Sequence, residues 1–266
     1  MSGQRRKIRV DEVLVRQGLL ASRAQAKAFV MAGDVLLGDR VVTKPAELVD
    51  VGAPLRLRER PRFVSRGGLK LEHALGEFNV PVCGRSAVDI GASTGGFTDC
   101  LLQHGARIVY AVDVGYGQLA YSLRADPRVV VLERINAREL ALLPEQVELA
   151  VIDVSFISLR LIWPSVLSVS DADVDVIALI KPQFEAGREH VSRRGVVTDE
   201  RLRRRIVSRV IDEAHAAGLA LHGLTRSPLL GPAGNAEFLG WFRRQPGEID
   251  AETAVAELFQ ATGSSP

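Results

Sequence analysis

Five short apolar runs recur through the middle of this 266-residue chain: Ala87–Ile90, Ile108–Val112, Val129–Leu132, Leu149–Ile152 and Val176–Ile180. Segments with helical patterning separate them. A run that stays mostly apolar at successive positions suits a strand buried on both faces, and strands joined through helices pair in parallel. The pattern therefore predicts an α/β domain, a parallel sheet covered on both sides. Each run gives way to a polar position or a turn: Gly91, Asp113, Asn136, Asp153 and Lys181. In open parallel sheets that carboxyl edge is where ligands bind.

The chain departs from this alternation near its end. Leu219–Thr225 reads as a sixth strand, and a Gly/Pro loop, Ser227–Asn235, runs into a seventh, Ala236–Phe242. The loop has no room for a crossover helix, so the last strand should return antiparallel. Its start, Glu237, then lies at the edge where the parallel strands stop. Asp153, Lys181 and Glu237 thus come from three strands to one rim. A helix opening near Gly68 has Leu71, Ala74, Leu75 and Phe78 as its apolar face, and Lys70 lies beside that face near the helix start. Alone, Lys70 reads as a surface lysine and the other three as strand-end charges. Together, two lysines and two carboxylates at one edge form a candidate catalytic set.

Beside that set is a glycine-rich turn. Gly91, Ala92, Ser93, Thr94, Gly95 and Gly96 follow the first strand, and Phe97 begins a helical pattern. A strand, a glycine turn and a helix open a nucleotide-type pocket, where bare backbone approaches the ligand and the helix N-terminus faces it. No Gly-Lys-Ser/Thr follows, so this is not a P-loop. A tight structural turn is the plainer alternative. Asp113 comes about 22 residues after Gly91, near the spacing at which an acidic side chain meets a ribose in such folds. A nicotinamide dinucleotide would also suit the loop, but it leaves the Lys/Asp/Lys/Glu set without a task.

The first quarter of the chain differs in character. Net charge is only +2, yet Lys and Arg outnumber Asp and Glu by about two to one through Arg66. After a basic lead-in, Arg5–Arg9, the pattern predicts a helix over Val10–Gln17. Ser22 should cap a second helix, Arg23–Ala32, with Ala24, Ala28 and Met31 as its apolar stripe. Val35–Val42 reads as a hairpin and Pro54–Arg58 as an exposed strand. Arg9, Arg16, Arg23 and Lys27 are candidate phosphate contacts, against the alternative of a solvated basic face. The expected division is residues 1–59, a linker over 60–64 around Pro61, and 65–266. A long helix, Asp199–Ala217, should bury Leu202, Ile206, Val210 and Ala214. Two cysteines fit a reducing cytosol rather than a disulfide framework. The amino terminus has no apolar core of the signal-peptide kind, and no run has membrane-spanning length. A cytoplasmic, monomeric protein is expected, which argues against a membrane-lytic one.

Specific resemblances sit on these residues. The run from Arg9 to Pro45, with Gly18-Leu19, Ser22-Arg23, Ala26, Gly33-Asp34-Val35 and Gly38, resembles an S4-type RNA-binding domain, a small α+β module. SRGGLKL at Ser65–Leu71, DIGASTGGF from Asp89, VIDVSF at Val151–Phe156, LIKPQFEAG at Leu179–Gly187 and GNAEFL at Gly234–Leu239 resemble the motifs of the FtsJ-like 2′-O-methyltransferases. These belong to the class I, Rossmann-like methyltransferase fold, whose sheet ends in an antiparallel strand. S4 domain and methyltransferase together resemble the TlyA family, some of whose members carry a haemolysin name. The resemblance implies S-adenosylmethionine as cofactor and no metal. It implies ribosomal RNA, in 16S and/or 23S form, or the ribosomal subunits, as partner, and a cytidine 2′-hydroxyl as acceptor. It assigns Lys70, Asp153, Lys181 and Glu237 to catalysis, with Lys181 as base beside Lys70 as a neighbouring cation. Gly91, Ser93, Gly95, Gly96 and Phe97 would line the methionine end of the cofactor, Asp113 its ribose and Asn136 its adenine, with Ala92 and Asp153 also among the cofactor-binding residues. Many relatives carry an acid where Asn136 stands, and its side-chain oxygen can still accept from an adenine amine.

Overall fold

A computed structural model describes residues 7–58, 61–187, 191–192, 194–247 and 249–260. The chain divides into two compact units, Met1–Arg62 and Phe63–Pro266. Arg5 and Arg6 of the basic lead-in lie outside the described residues.

In the first unit, β1 (Lys7–Arg9) leads into α1 (Val10–Arg16) and α2 (Arg23–Met31). Ser22 caps α2, its side chain accepting the Gln25 N–H at 3.2 Å. β2 (Val35–Leu37) pairs antiparallel with β3 (Arg40–Val41) and β5 (Leu55–Leu57), while β4 (Leu48–Asp50) pairs with β1. Neither member of the β1–β4 pair is visible as periodicity, because three residues are too few to alternate. The expected stripe on α2 is corrected. Ala26 and Val30 are buried, Ala24 and Ala28 are exposed, and Met31 is 75% exposed. The helix is turned so that its four-residue spacing from Ala26 meets Val13, Leu14 and Val35 in one core.

The second unit is built on a seven-stranded sheet. Its strands are β6 (Ser86–Ile90), β7 (Ile108–Asp113), β8 (Val129–Glu133), β9 (Val147–Ile152), β10 (Ser170–Ile180), β11 (Ala220–Arg226) and β12 (Phe238–Arg243), in the order β11-β12-β10-β9-β6-β7-β8. β8, β7, β6, β9 and β10 run parallel, and β12 returns antiparallel between β10 and β11. The period of two along each strand sorts its side chains into two cores. Val88, Ile90, Val112, Ile152 and Ile180 join Trp163, Val207, Val210 and Phe259, from α6 (Trp163–Val169), α8 (Glu200–Ala216) and α9 (Ala251–Gln260). Ala87, Val109, Leu149, Ile177 and Leu239 join Leu71, Leu75, Leu101 and Leu123, from α3 (Gly67–Phe78), α4 (Gly96–Gln103) and α5 (Tyr121–Arg124). This doubly covered sheet is the architecture the apolar runs require. β8 is half-buried along most of its length because it is an edge.

Three expectations shift. Phe63, placed in the linker by the sequence, is buried against Gly68 and belongs to the second unit. Leu202 on α8 is only half-buried, and Val207 and Ile211 complete that face instead. The last strand begins at Phe238, opposite Ile180, so Glu237 and Lys181 flank that pairing at one edge. No described helix is long and apolar enough to cross a membrane.

Candidate active site

Lys70, Asp153, Lys181 and Glu237 line one cavity of about 800 Å³ at the carboxyl edge of the parallel strands. They form two ion pairs. Lys70 Nζ donates to Glu237 Oε2 at 2.5 Å, and Lys181 Nζ lies 2.6 Å from Asp153 Oδ1. Lys181 Nζ also donates to Ser155 Oγ at 3.0 Å, and Gln183 Nε2 donates to Glu237 Oε1 at 3.2 Å. The reading of Lys70 as a surface residue is corrected: it is 9% exposed and Glu237 1%. Its apolar stem follows the packed face of α3 and its ammonium turns to the rim. Lys70 is therefore not an uncompensated cation beside Lys181. Each ammonium has its own carboxylate, which offsets the cost of burying both.

The glycine turn borders the same cavity through Gly91, Ala92, Ser93, Thr94, Gly96 and Phe97. Gly95 is not among the lining residues. It has φ +95°, and a Cβ there would stand 2.2 Å from Leu123 Cδ1, so the position serves the turn against α5. A Cβ on Gly91, at φ +88°, would stand 2.6 Å from the Asp153 carbonyl oxygen. Both glycines answer to close packing within the protein, the structural alternative the sequence left open, and Gly91 also lines the cavity. The turn is tethered by Asp113, whose Oδ2 accepts the Ser93 N–H at 2.7 Å and whose Oδ1 accepts the Gly115 N–H at 2.6 Å. Asn136 Oδ1 caps the short turn that follows, accepting the Arg138 N–H at 3.2 Å and Arg138 Nε at 3.3 Å. The oxygen expected to meet an adenine amine already has two donors.

Several groups at the site went unassigned in the sequence. Asp89 is fully buried in β6, and Thr98 Oγ1 donates to its Oδ2 at 2.6 Å. Burial pushes its carboxyl up to about 7; the Thr98 hydrogen bond opposes the rise and the Asp153 charge adds to it. Asp89, Asp113 and Asp153 stand at or near the ends of three adjacent strands, and of these Asp153 lines the cavity. Phe156 is 90% exposed at φ +63°, with its ring 4.8 Å from that of Phe184. Both rings line the cavity mouth. Ser155 and Phe156 lie two and three residues after Asp153, and that nearness was the available signal. Among the described residues, no group of three or more His, Cys, Asp or Glu is placed to hold a metal ion.

The RNA candidates lie in the first unit. Arg9 Nε donates to Asp11 Oδ1 at 3.0 Å, and Arg23 Nη2 reaches Asp11 Oδ2 at 3.3 Å. Asp11 is fully buried beneath them. Arg16 pairs with Glu12 at 2.6 Å, and Lys27 is exposed on α2. Arg9 and Arg23 are thus brought together; Arg16 is engaged separately.

Residues 63–244 match the FtsJ-like methyltransferase family and residues 8–55 the S4 domain. The chain is 49% identical to the Bacillus subtilis protein YqxC, which carries an rRNA methyltransferase name, over 88% of this chain and 85% of that one. It is 48% identical to the 16S/23S rRNA (cytidine-2′-O)-methyltransferase TlyA of Mycobacterium tuberculosis, over 90% of this chain and 91% of that one. A solved Streptococcus thermophilus structure that carries a hemolysin name superposes with a TM-score of 0.71 at 41% identity, covering 98% of this chain and all of that one. The chain belongs to the FtsJ-like methyltransferase family, in the TlyA branch that sets an S4 domain before the catalytic one.

Proposed function

We propose that this protein methylates a cytidine ribose 2′-hydroxyl in ribosomal RNA, using S-adenosylmethionine. The observation that carries the reading is the pair of lysine–carboxylate contacts, Lys70–Glu237 and Lys181–Asp153, on the rim of the cavity that the glycine turn borders. The relatives' names supply the RNA and the nucleoside. The S4 domain supplies a surface for structured RNA, with Arg9, Arg16, Arg23 and Lys27 as phosphate contacts.

The cavity suits the cofactor. Its volume lies within the range of small-molecule sites, and Gly96 and Phe97 at the N-terminus of α4 line it. Gly91, Ala92, Ser93, Gly96 and Phe97 would hold the methionine end, with Asp113 and the segment around Asn136 toward the nucleoside end. When bound, S-adenosylmethionine supplies an electrophilic methyl group on a sulfonium. Lys181 takes the proton from the ribose 2′-hydroxyl, entering the step as the neutral amine. Asp153 and Ser155 fix where its nitrogen sits, while Glu237 aims Lys70 at the ribose. Much of the rate comes from alignment, since holding two reactants in line contributes about 7–11 kcal/mol. The exposed Phe156 ring offers a stacking face to an unstacked base.

Incubating the purified protein with ribosomal subunits and methyl-labelled S-adenosylmethionine, then digesting the RNA to nucleosides, tests this reading. Labelled 2′-O-methylcytidine supports it. A base-methylated nucleoside, or no labelled RNA from either subunit, contradicts it.

A further inference from the structure

Two loops meet at the site: residues 153–158 after β9 and residues 181–185 after β10, the latter including α7 (Pro182–Glu185). They are joined three times. At the cavity, Lys181 meets Asp153 and Ser155. At the mouth, Phe184 packs on Phe156. At the far end, the Leu159 N–H donates to Glu185 Oε1 at 2.8 Å. The third contact is away from the chemistry, for Glu185 is not a lining residue and is 8% exposed. Its main chain is anchored as well, its carbonyl accepting from Arg209 Nη2 of α8 at 2.5 Å.

A buried carboxyl is costly where packing alone would take an apolar side chain. Glu185 Oε2 is buried with no hydrogen-bond partner among the described residues. Burial pushes the carboxyl up, against the pull of the Leu159 N–H and the Ser158 hydroxyl. What the group holds is a loop under strain. Phe156 sits at φ +63°, a left-handed conformation that costs a non-glycine residue about 1–2 kcal/mol and persists only where its surroundings enforce it. The strained residue lies between two anchors, Lys181 on Ser155 and Glu185 on Leu159.

We infer that Glu185 is a positioning residue for methyl transfer: by holding Leu159 it fixes the 154–158 loop, so that Ser155 meets Lys181 and Phe156 faces the incoming RNA. The inference rests on the reading of Lys181 as the base. Glu185 acts through hydrogen-bond acceptance, so an amide oxygen at the same reach can stand in for it.

The test uses the full-length protein with Glu185→Ala, Glu185→Asp and Glu185→Gln. Turnover and KM for ribosomal subunits, cofactor affinity by calorimetry and hydrogen exchange of residues 154–160 are measured for each. Glu185→Ala should lower kcat about tenfold or more, as sub-ångström misalignment does, with cofactor affinity unchanged and faster exchange confined to 154–160. Glu185→Asp, a methylene too short to reach Leu159, should show a smaller loss in the same readouts and covers the case in which the alanine variant does not fold. Glu185→Gln should restore both turnover and protection. Wild-type turnover in the alanine or aspartate variant, a glutamine variant as impaired as alanine, or a loss that follows only the folded fraction overturns the inference. Wild type and Lys181→Ala run in parallel. If wild type does not transfer, or Lys181→Ala does, the base assignment falls, and loop exchange still decides whether Glu185 holds the loop.

Discussion

Neutralising Glu237 while leaving Lys70 in place should cost the second unit a large part of its stability. The Lys70 side chain is 11% exposed and that of Glu237 not at all, so Glu237→Gln leaves an ammonium in the cavity wall without its counter-charge. Removing one partner of a buried pair costs about 3–5 kcal/mol. Lys70 keeps some access to solvent, which points to the low end, about 3 kcal/mol. For a domain of this size each kcal/mol moves Tm by about 2–4 °C, so Glu237→Gln should melt roughly 10 °C below wild type. Lys70→Met should lose a comparable amount. The double variant, with both charges gone and both shapes kept, should recover more than half of the summed loss, because desolvation and attraction leave together. Thermal and urea unfolding of the four proteins complete the cycle. A single-variant cost below about 1 kcal/mol, or strictly additive losses, would show that the two groups do not hold one another in solution and refute the reasoning.

Other expectations follow from the same geometry. Gly91→Ala places a Cβ against the Asp153 carbonyl at a left-handed φ, and calorimetry should show cofactor binding lost while the S4 unit still folds. Gly231→Ala puts a Cβ 2.0 Å from Glu237 Oε1, so kcat should fall although Gly231 has no chemistry of its own. The folded-state carboxyl of Asp89 is raised, so between about pH 4 and 7 the native state holds a proton that the unfolded chain has lost, and stability declines across that window. Asp89→Asn should abolish that decline in urea-unfolding curves. Asp11 has the opposite sign. Its hydrogen bond with Arg9 lowers its carboxyl, so its stabilisation is present above about pH 4 and lost as pH falls through the folded value. The stability gap between wild type and Asp11→Asn should therefore close in acid.

Much of the second unit was legible because its physics repeats in the sequence. Strands buried on both faces are mostly apolar, and β6, β7, β9 and the end of β10 are, with Asp89 in β6 and Glu148 in β9 as exceptions. The antiparallel β12 followed from a loop too short for a helix, and with it the place of Glu237. What the sequence hid depends on direction. Whether Lys70 points outward or along α3 to Glu237 is a matter of a few tens of degrees of helix rotation; the same ambiguity misplaced the stripe on α2. The glycines of the turn were correctly marked as special, but only coordinates distinguish a Cβ that would meet a ligand from one that would meet Leu123 or the Asp153 carbonyl. Asn136 looked free because capping a three-residue turn leaves no periodic trace.

The central claim is that Lys181, held by Asp153 and Ser155, takes the proton from the ribose hydroxyl. The direct measurement is single-turnover methyl transfer to ribosomal subunits by Lys181→Ala, alongside calorimetry with S-adenosylmethionine and a thermal melt of the same sample. The account predicts a folded protein that binds the cofactor and leaves the RNA unmethylated. Transfer at the wild-type rate would contradict it.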